Sequence, residues 1–226
     1  MEWERQQEVV RKAEKLVEET MGARDASHDA AHAYRVRDLA LSLAKEEGLD
    51  DHCFEIVEIA ALLHDIGDYK YTKDLVEDTS ILEKFLKEEG LEDSKREKIL
   101  SIIKGMGFKN EVAKISCFDF STEFGVVQDA DRLDAIGAIG IARCFTFGGS
   151  KNRVLHDPKI LPREDLSRQS YMNKDEKQTT INHFHEKLFK LKDLMKTEAG
   201  RRRAEKRHRF MQDFVAEFYE EWNGRA

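Results

Sequence analysis

Apolar residues recur at three- and four-residue steps along most of the chain, the period of a helix with one buried face. Val9, Val10, Ala13, Leu16 and Val17 mark a first helix within residues 2–20. Ser27 reads as the N-cap of a second, which runs to about Glu47 and is closed by Gly48. Its stripe is Val36, Leu39, Ala40 and Leu43. A third, over about 52–65, is apolar nearly all round and should be central; Gly67 breaks it. Residues 80–89 and 95–104 predict two more helices, with Ser94 and Glu97 spaced as a capping box. A further helical run spans about 122–147, with close packing expected at Gly137 and Gly140. Residues 148–172 read as a long connection, either a loop or a lid. Asn173 and Glu176 then match another capping box ahead of a helix over 174–196, and a last helix covers about 198–223. Phe210, Phe214, Phe218 and Trp222 recur once per turn along it.

Composition agrees with a helical protein. Only two prolines occur in 226 residues, fewer than a turn-rich sandwich or barrel needs. Charged residues make up 37% of the chain, yet 13 phenylalanines give it material for a core. A net charge of -7 argues against a dedicated duplex-DNA binder while leaving room for a local basic pocket. The start reads as no secretory segment, and no apolar run suggests a membrane span. Three cysteines without C-x-x-C spacing fit a reducing compartment, so a soluble cytoplasmic protein is expected.

Ionisable groups stand out against the apolar stripes. His32 shares the face of Val36 and Leu39, and His64-Asp65 ends the most apolar helix. Asp129, Asp131 and Asp134 interrupt another apolar stretch. Buried ionisable groups are costly unless paired or bound to metal. Two imidazoles and two carboxylates from His32, His64, Asp65 and Asp131 suit a borderline transition ion better than Ca²⁺. Mn²⁺ is favoured, with Fe²⁺, Co²⁺, Ni²⁺, Zn²⁺ and Mg²⁺ as alternatives. A water on such an ion becomes a hydrolytic nucleophile at neutral pH.

The order His32, His64-Asp65, then Asp131 within Ala130-Asp131-Arg132-Leu133 resembles the H…HD…D pattern of the HD-domain metal-dependent phosphohydrolases. Residues 128–143 (QDADRLDAIGAIGIAR) and 179–222 resemble a subgroup of small stand-alone HD hydrolases, so the resemblance covers nearly the whole chain. It implies an all-α fold: one HD-type domain over 1–226, with the metal core at about 24–145 and the C-terminal helices of 173–226 packed onto it. It also implies a divalent ion and hydrolysis of phosphoesters or phosphoanhydrides. Nucleotides lead as substrates, including triphosphates cleaved to monophosphate and pyrophosphate.

Roles follow from that resemblance and from position. Asp68, one turn past His64, matches an acidic residue that (p)ppGpp-hydrolysing members carry there and is the candidate to orient or deprotonate water. A turn residue after Gly67 is the bland alternative. His28, one turn before His32, is a candidate phosphate contact, leaving-group acid or second-ion ligand, or simply part of the helix start. Asp134 is a candidate support for a ligand or a water, and Asp129 and Asp134 both read as helix-surface groups or as supports behind the ligands. Lys70, Lys73, Arg132 and Lys187 are candidate phosphate neutralisers among many solvated charges. His52, His156 and His208 read as surface residues, and at most one of His183 and His185 points inward.

Two other readings compete. One is a non-catalytic module with a structural metal, sensing a nucleotide or binding a protein. The other is RNA association through residues 201–209, although interleaved Glu205 makes a solvated helix face the better account and nucleic acid an unlikely partner. A homodimer is compatible with the chain.

Overall fold

A computed structural model describes residues 2–22, 24–67, 78–106, 121–163 and 178–226. Every regular element among them is helical, as expected. They divide into two compact units: Met1–Arg24 with His28–Ala130, and Asp25–Ser27 with Asp131–Ala226. No described helix is long and apolar enough to cross a membrane.

The first unit is built on α1 (Glu2–Met21), α2 (Ala30–Glu46), α3 (Asp51–Leu63), α4 (Ser80–Glu88), α5 (Asp93–Gly105) and most of α6 (Thr122–Asp134). Helix α3 packs against α1, α2 and α5. That explains why Ile56, Val57 and the whole run from Ile59 to Leu63 are buried. Asp50 caps its start by accepting from the Cys53 amide at 2.9 Å. It ends at Leu63, just short of expectation, and Gly67 turns the chain with φ +85°. A Cβ on Gly67 would stand 2.0 Å from the Asp78 carbonyl oxygen, so only glycine fits that crossing.

Two expected caps are corrected. Asp29, not Ser27, caps α2, accepting from the His32 amide. Ser27 is held one step earlier, its amide and hydroxyl both donating to Asp25. Ser94 is not a cap either: α5 begins at Asp93 after Glu92, which makes no side-chain cap bond. Arg96 steadies that first turn through Asp93 at 2.7 Å and the Leu91 carbonyl at 2.8 Å.

The second unit holds the end of α6, then α7 (Gly137–Ser150), α8 (Asn182–Glu186), a 3-10 helix (Leu188–Leu194) and α9 (Glu198–Trp222). The single helix expected over 122–147 is two, because the chain turns at Ile136 and Gly137 takes φ +77°. The close packing expected of both glycines is present. A Cβ on Gly137 would meet Arg207 Cγ at 2.9 Å, and one on Gly140 would meet the Ala135 carbonyl oxygen at 2.2 Å. Residues 151–163 form turns, and a bridge pairs Val154 with Thr179. Residues 164–172 and the Asn173–Glu176 capping box lie outside the described residues. The long helix expected to 196 is broken. Thr179 sits in the bridge, α8 spans five residues, and the 3-10 turn follows.

Helix α9 packs on α7 and on the 3-10 helix. Its buried face is Ala199, Gly200, Ala204, His208, Met211 and Val215, which after Gly200 advances by fours broken by one step of three. The aromatic stripe advances by four at every step. Each such step drifts ~40° on a helix of 3.6 residues per turn, so four positions cannot share one face. Phe214 and Phe218 pack on Phe145, with centroids at 5.9 and 6.3 Å, while Phe210 and Trp222 at the ends are exposed. The basic run is largely solvated, as read. Arg201 pairs with Glu198 at 2.7 Å, while Arg207 is half-buried and donates to the Leu133 carbonyl, and His208 is buried.

Candidate metal centre

The Asp29 cap fixes the first turn of α2 and with it His32, which is 1% exposed. His64 is the C-cap of α3 and also buried. Its Nδ1 lies 2.8 Å from the Ala61 carbonyl oxygen. That oxygen accepts only from an N–H, so Nδ1 carries the proton and Nε2 keeps its lone pair for a cation. The two rings meet edge to face, centroids 5.2 Å apart.

Asp65 follows His64 directly. Its carboxylate oxygens lie 3.4 Å from His32 Nε2 and 3.5 Å from His64 Nε2. Arg24 donates to the Asp65 backbone carbonyl at 3.2 Å, which ties the turn to the end of α1. Asp131 lies within α6. Ligand atoms of His32, His64 and Asp131 all lie within 4.8 Å of one another.

This donor set fits a divalent transition ion. Two atoms bound at ~2.1 Å to one ion stand at most ~4.2 Å apart, and the Asp65–histidine distances fall inside that limit. Nitrogen and carboxylate oxygen together match borderline ions.

The remaining expected residues divide. His28 stands with its ring 6.1 Å from that of His32, so it borders the cluster. Asp68, Lys70 and Lys73 lie outside the described residues. Asp129 is fully buried, not a surface group. Asp134 is buried and paired with Arg143 at 3.0 Å. Arg132, a candidate phosphate contact, is buried and donates to the Leu194 carbonyl. Lys187 is the C-cap of α8, its amide bonded to the His183 carbonyl at 3.0 Å.

Of the histidines expected at the surface, only His52 is exposed. His208 is buried in α9, and His156 is half-buried against Phe218, Tyr219 and Trp222. Short-range polarity around them gave no hint, because the aromatic partners of His156 lie over sixty residues away. His183 and His185 are both half-buried; His185 Nε2 lies 3.3 Å from the Tyr219 hydroxyl. Burial, with Lys187, Arg153 and Arg163 nearby, pushes His183 down to about 3.

The HD domain family model matches residues 29–136, the stretch that carries all four expected ligands. Bacillus subtilis YpgQ is 37% identical over 190 residues, 84% of this chain and 82% of YpgQ. The chain belongs to the HD-domain family. A crystal structure of an HD-superfamily hydrolase from Bacillus thuringiensis is 38% identical, with a TM-score of 0.72 over 96% of this HD-domain protein and 98% of that chain. A structure from Lactobacillus plantarum gives a TM-score of 0.82 at 35% identity, covering 96% and 97%. YpgQ crystallised in complex with ADP gives a TM-score of 0.73 at 31% identity, covering 96% and 100%.

Proposed function

We propose that this HD-domain protein is a metal-dependent phosphohydrolase that cleaves phosphoester or phosphoanhydride bonds of a nucleotide. Cleavage of a nucleoside triphosphate to monophosphate and pyrophosphate is the leading form. The observation that carries the reading is the convergence of His32, His64 and Asp131, with Asp65 in contact with both imidazoles. The ADP complex of the similar YpgQ supports a nucleotide as the phosphate-bearing ligand.

His32, His64, Asp65 and Asp131 would hold the ion. A divalent ion there supplies Lewis acidity toward a phosphate oxygen and toward the attacking water. The chain's own residues do the rest. The Ala61 carbonyl fixes the His64 tautomer, and the Asp29 cap fixes the backbone beneath His32. His28, on the rim, is the described candidate for a phosphate contact or for protonating the leaving group. Asp68 remains our candidate for orienting water, with Lys70 and Lys73 for phosphate charge.

The test is to load the protein with Mn²⁺ and offer nucleoside triphosphates, ADP and phosphomonoesters, assaying phosphate and pyrophosphate separately. Turnover that needs the ion, and that vanishes with the bound ion in Asp65→Ala, is expected. Metal-loaded protein that binds nucleotide tightly without turnover would instead show a sensing module. Asp65→Ala that keeps its metal would refute the ligand assignment.

A further inference from the structure

Arg143 carries the sole charge in α7, a helix whose other residues are glycine, alanine, other apolar residues, one threonine and one serine. Its side chain is largely enclosed, 12% exposed, so its charge requires partners. The structure supplies two. Arg143 Nη1 donates to Asp134 Oδ2 at 3.0 Å, and that carboxylate is 2% exposed. Arg143 Nε donates to the Ser27 carbonyl at 2.7 Å. One guanidinium therefore holds two segments that are 107 residues apart in sequence, 134 less 27.

Both segments run straight into metal-ligand positions. Asp134 stands one helical turn after Asp131, at the end of α6. Ser27 precedes His28 and the Asp29 cap that sets His32. Ser27 is itself held by Asp25, which makes the 25–27 turn a firm anchor. The end of α6 has further arginine contacts: Arg207 donates to the Leu133 carbonyl, and Arg132 donates to Leu194. Arg143 in addition bonds the Ser27 carbonyl, two residues before the Asp29 cap of α2.

From this geometry we infer that Arg143 is a positioning residue for the metal centre, setting the reach of the Asp131 carboxylate by clamping Asp134 and the Ser27 carbonyl together. A planar fork makes both bonds at once with little freedom, which a lysine point charge does not reproduce. Groups that orient metal ligands from behind typically change affinity by ~10–100-fold when removed. The inference rests on the metal reading above.

The test is the Mn²⁺ dissociation constant of the metal-free full chain, read by titration calorimetry or by the electron-paramagnetic signal of free Mn²⁺. Arg143→Met is expected to weaken Mn²⁺ binding ~10–100-fold, and Arg143→Lys to recover part of that loss. Arg163→Met provides the control. It removes an equally enclosed ion pair, to Glu186 at 2.8 Å, in the same unit. It is expected to lower the melting temperature while leaving the Mn²⁺ constant within about twofold of wild type. Should Arg143→Met fail to fold, Arg143→Lys carries the test, with intermediate affinity at near-native melting temperature. Wild-type affinity in both Arg143 variants would overturn the inference alone. Equal weakening by Arg143→Met and Arg163→Met would also overturn it, reducing Arg143 to general stability. Failure of the wild type to take up Mn²⁺ would remove the metal reading, and this inference with it.

Discussion

Lys98 and Cys53 both donate to the Glu123 carboxylate at the start of α6, Cys53 Sγ from 3.1 Å. Burial acts on that carboxyl most strongly and upward, yet the donors together bring it from 4.5 down to about 2. A carboxylate depressed in this way stabilises the fold fully above its unfolded value and loses that contribution as pH falls toward the folded one. Glu123→Gln should therefore lower the melting temperature at about pH 6, and the gap to wild type should close as pH is lowered toward about 2. Thermal melts across that range check it; a gap independent of pH would show that the carboxylate charge is not what matters. The same logic explains which residues were legible in the sequence. His32, His64, Asp65 and Asp131 interrupt apolar stripes, and the structure brings them to one place. Arg143 carried the same signal, a lone charge in an apolar helix, but its partners lie at Ser27 and Asp134 and no spacing rule connects them. His208 looked solvated because its immediate neighbours are charged, whereas the helix phase turns it inward.

At the scale of elements, the sequence located helices better than their ends. Helix α3 matched within two residues because a fully apolar run followed by a glycine leaves few alternatives. The α2 cap was misplaced by two residues because Ser27 and Asp29 are both competent caps, and only the Asp25 turn decides between them. The 122–147 run looked continuous since Gly137 is tolerated within a helical pattern, and neither its left-handed φ nor the Arg207 side chain beside it is written in the local sequence. Gly137→Ala should accordingly cost on the order of 1–3 kcal/mol, or roughly 2–10 °C in melting temperature. Calorimetry of the variant checks this. A neutral or stabilising effect would mean that the break between α6 and α7 does not depend on glycine. The helix expected over 174–196 failed for a different reason: Thr179 is drawn into the bridge with Val154, and the Ile181 amide donates to the Leu155 carbonyl at 3.0 Å.

For the whole molecule, the helical class was legible from periodicity and from the near-absence of proline, and the HD order of four ligands from three short motifs. Metal binding should then appear in global stability, since a ligand that binds only the native state stabilises it by mass action. At free Mn²⁺ ~100 times its dissociation constant the gain is ~2.7 kcal/mol, or ~5–10 °C in melting temperature for a chain of this size. Chelation should reverse the shift, and His64→Ala should abolish it. The most direct measurement is anomalous X-ray diffraction at the manganese edge from crystals of the Mn²⁺-loaded protein. The account predicts a peak within ~2.0–2.4 Å of His32 Nε2, His64 Nε2 and carboxylate oxygens of Asp65 and Asp131. Full occupancy of Mn²⁺ elsewhere in the molecule, with no peak among these four side chains, would contradict it.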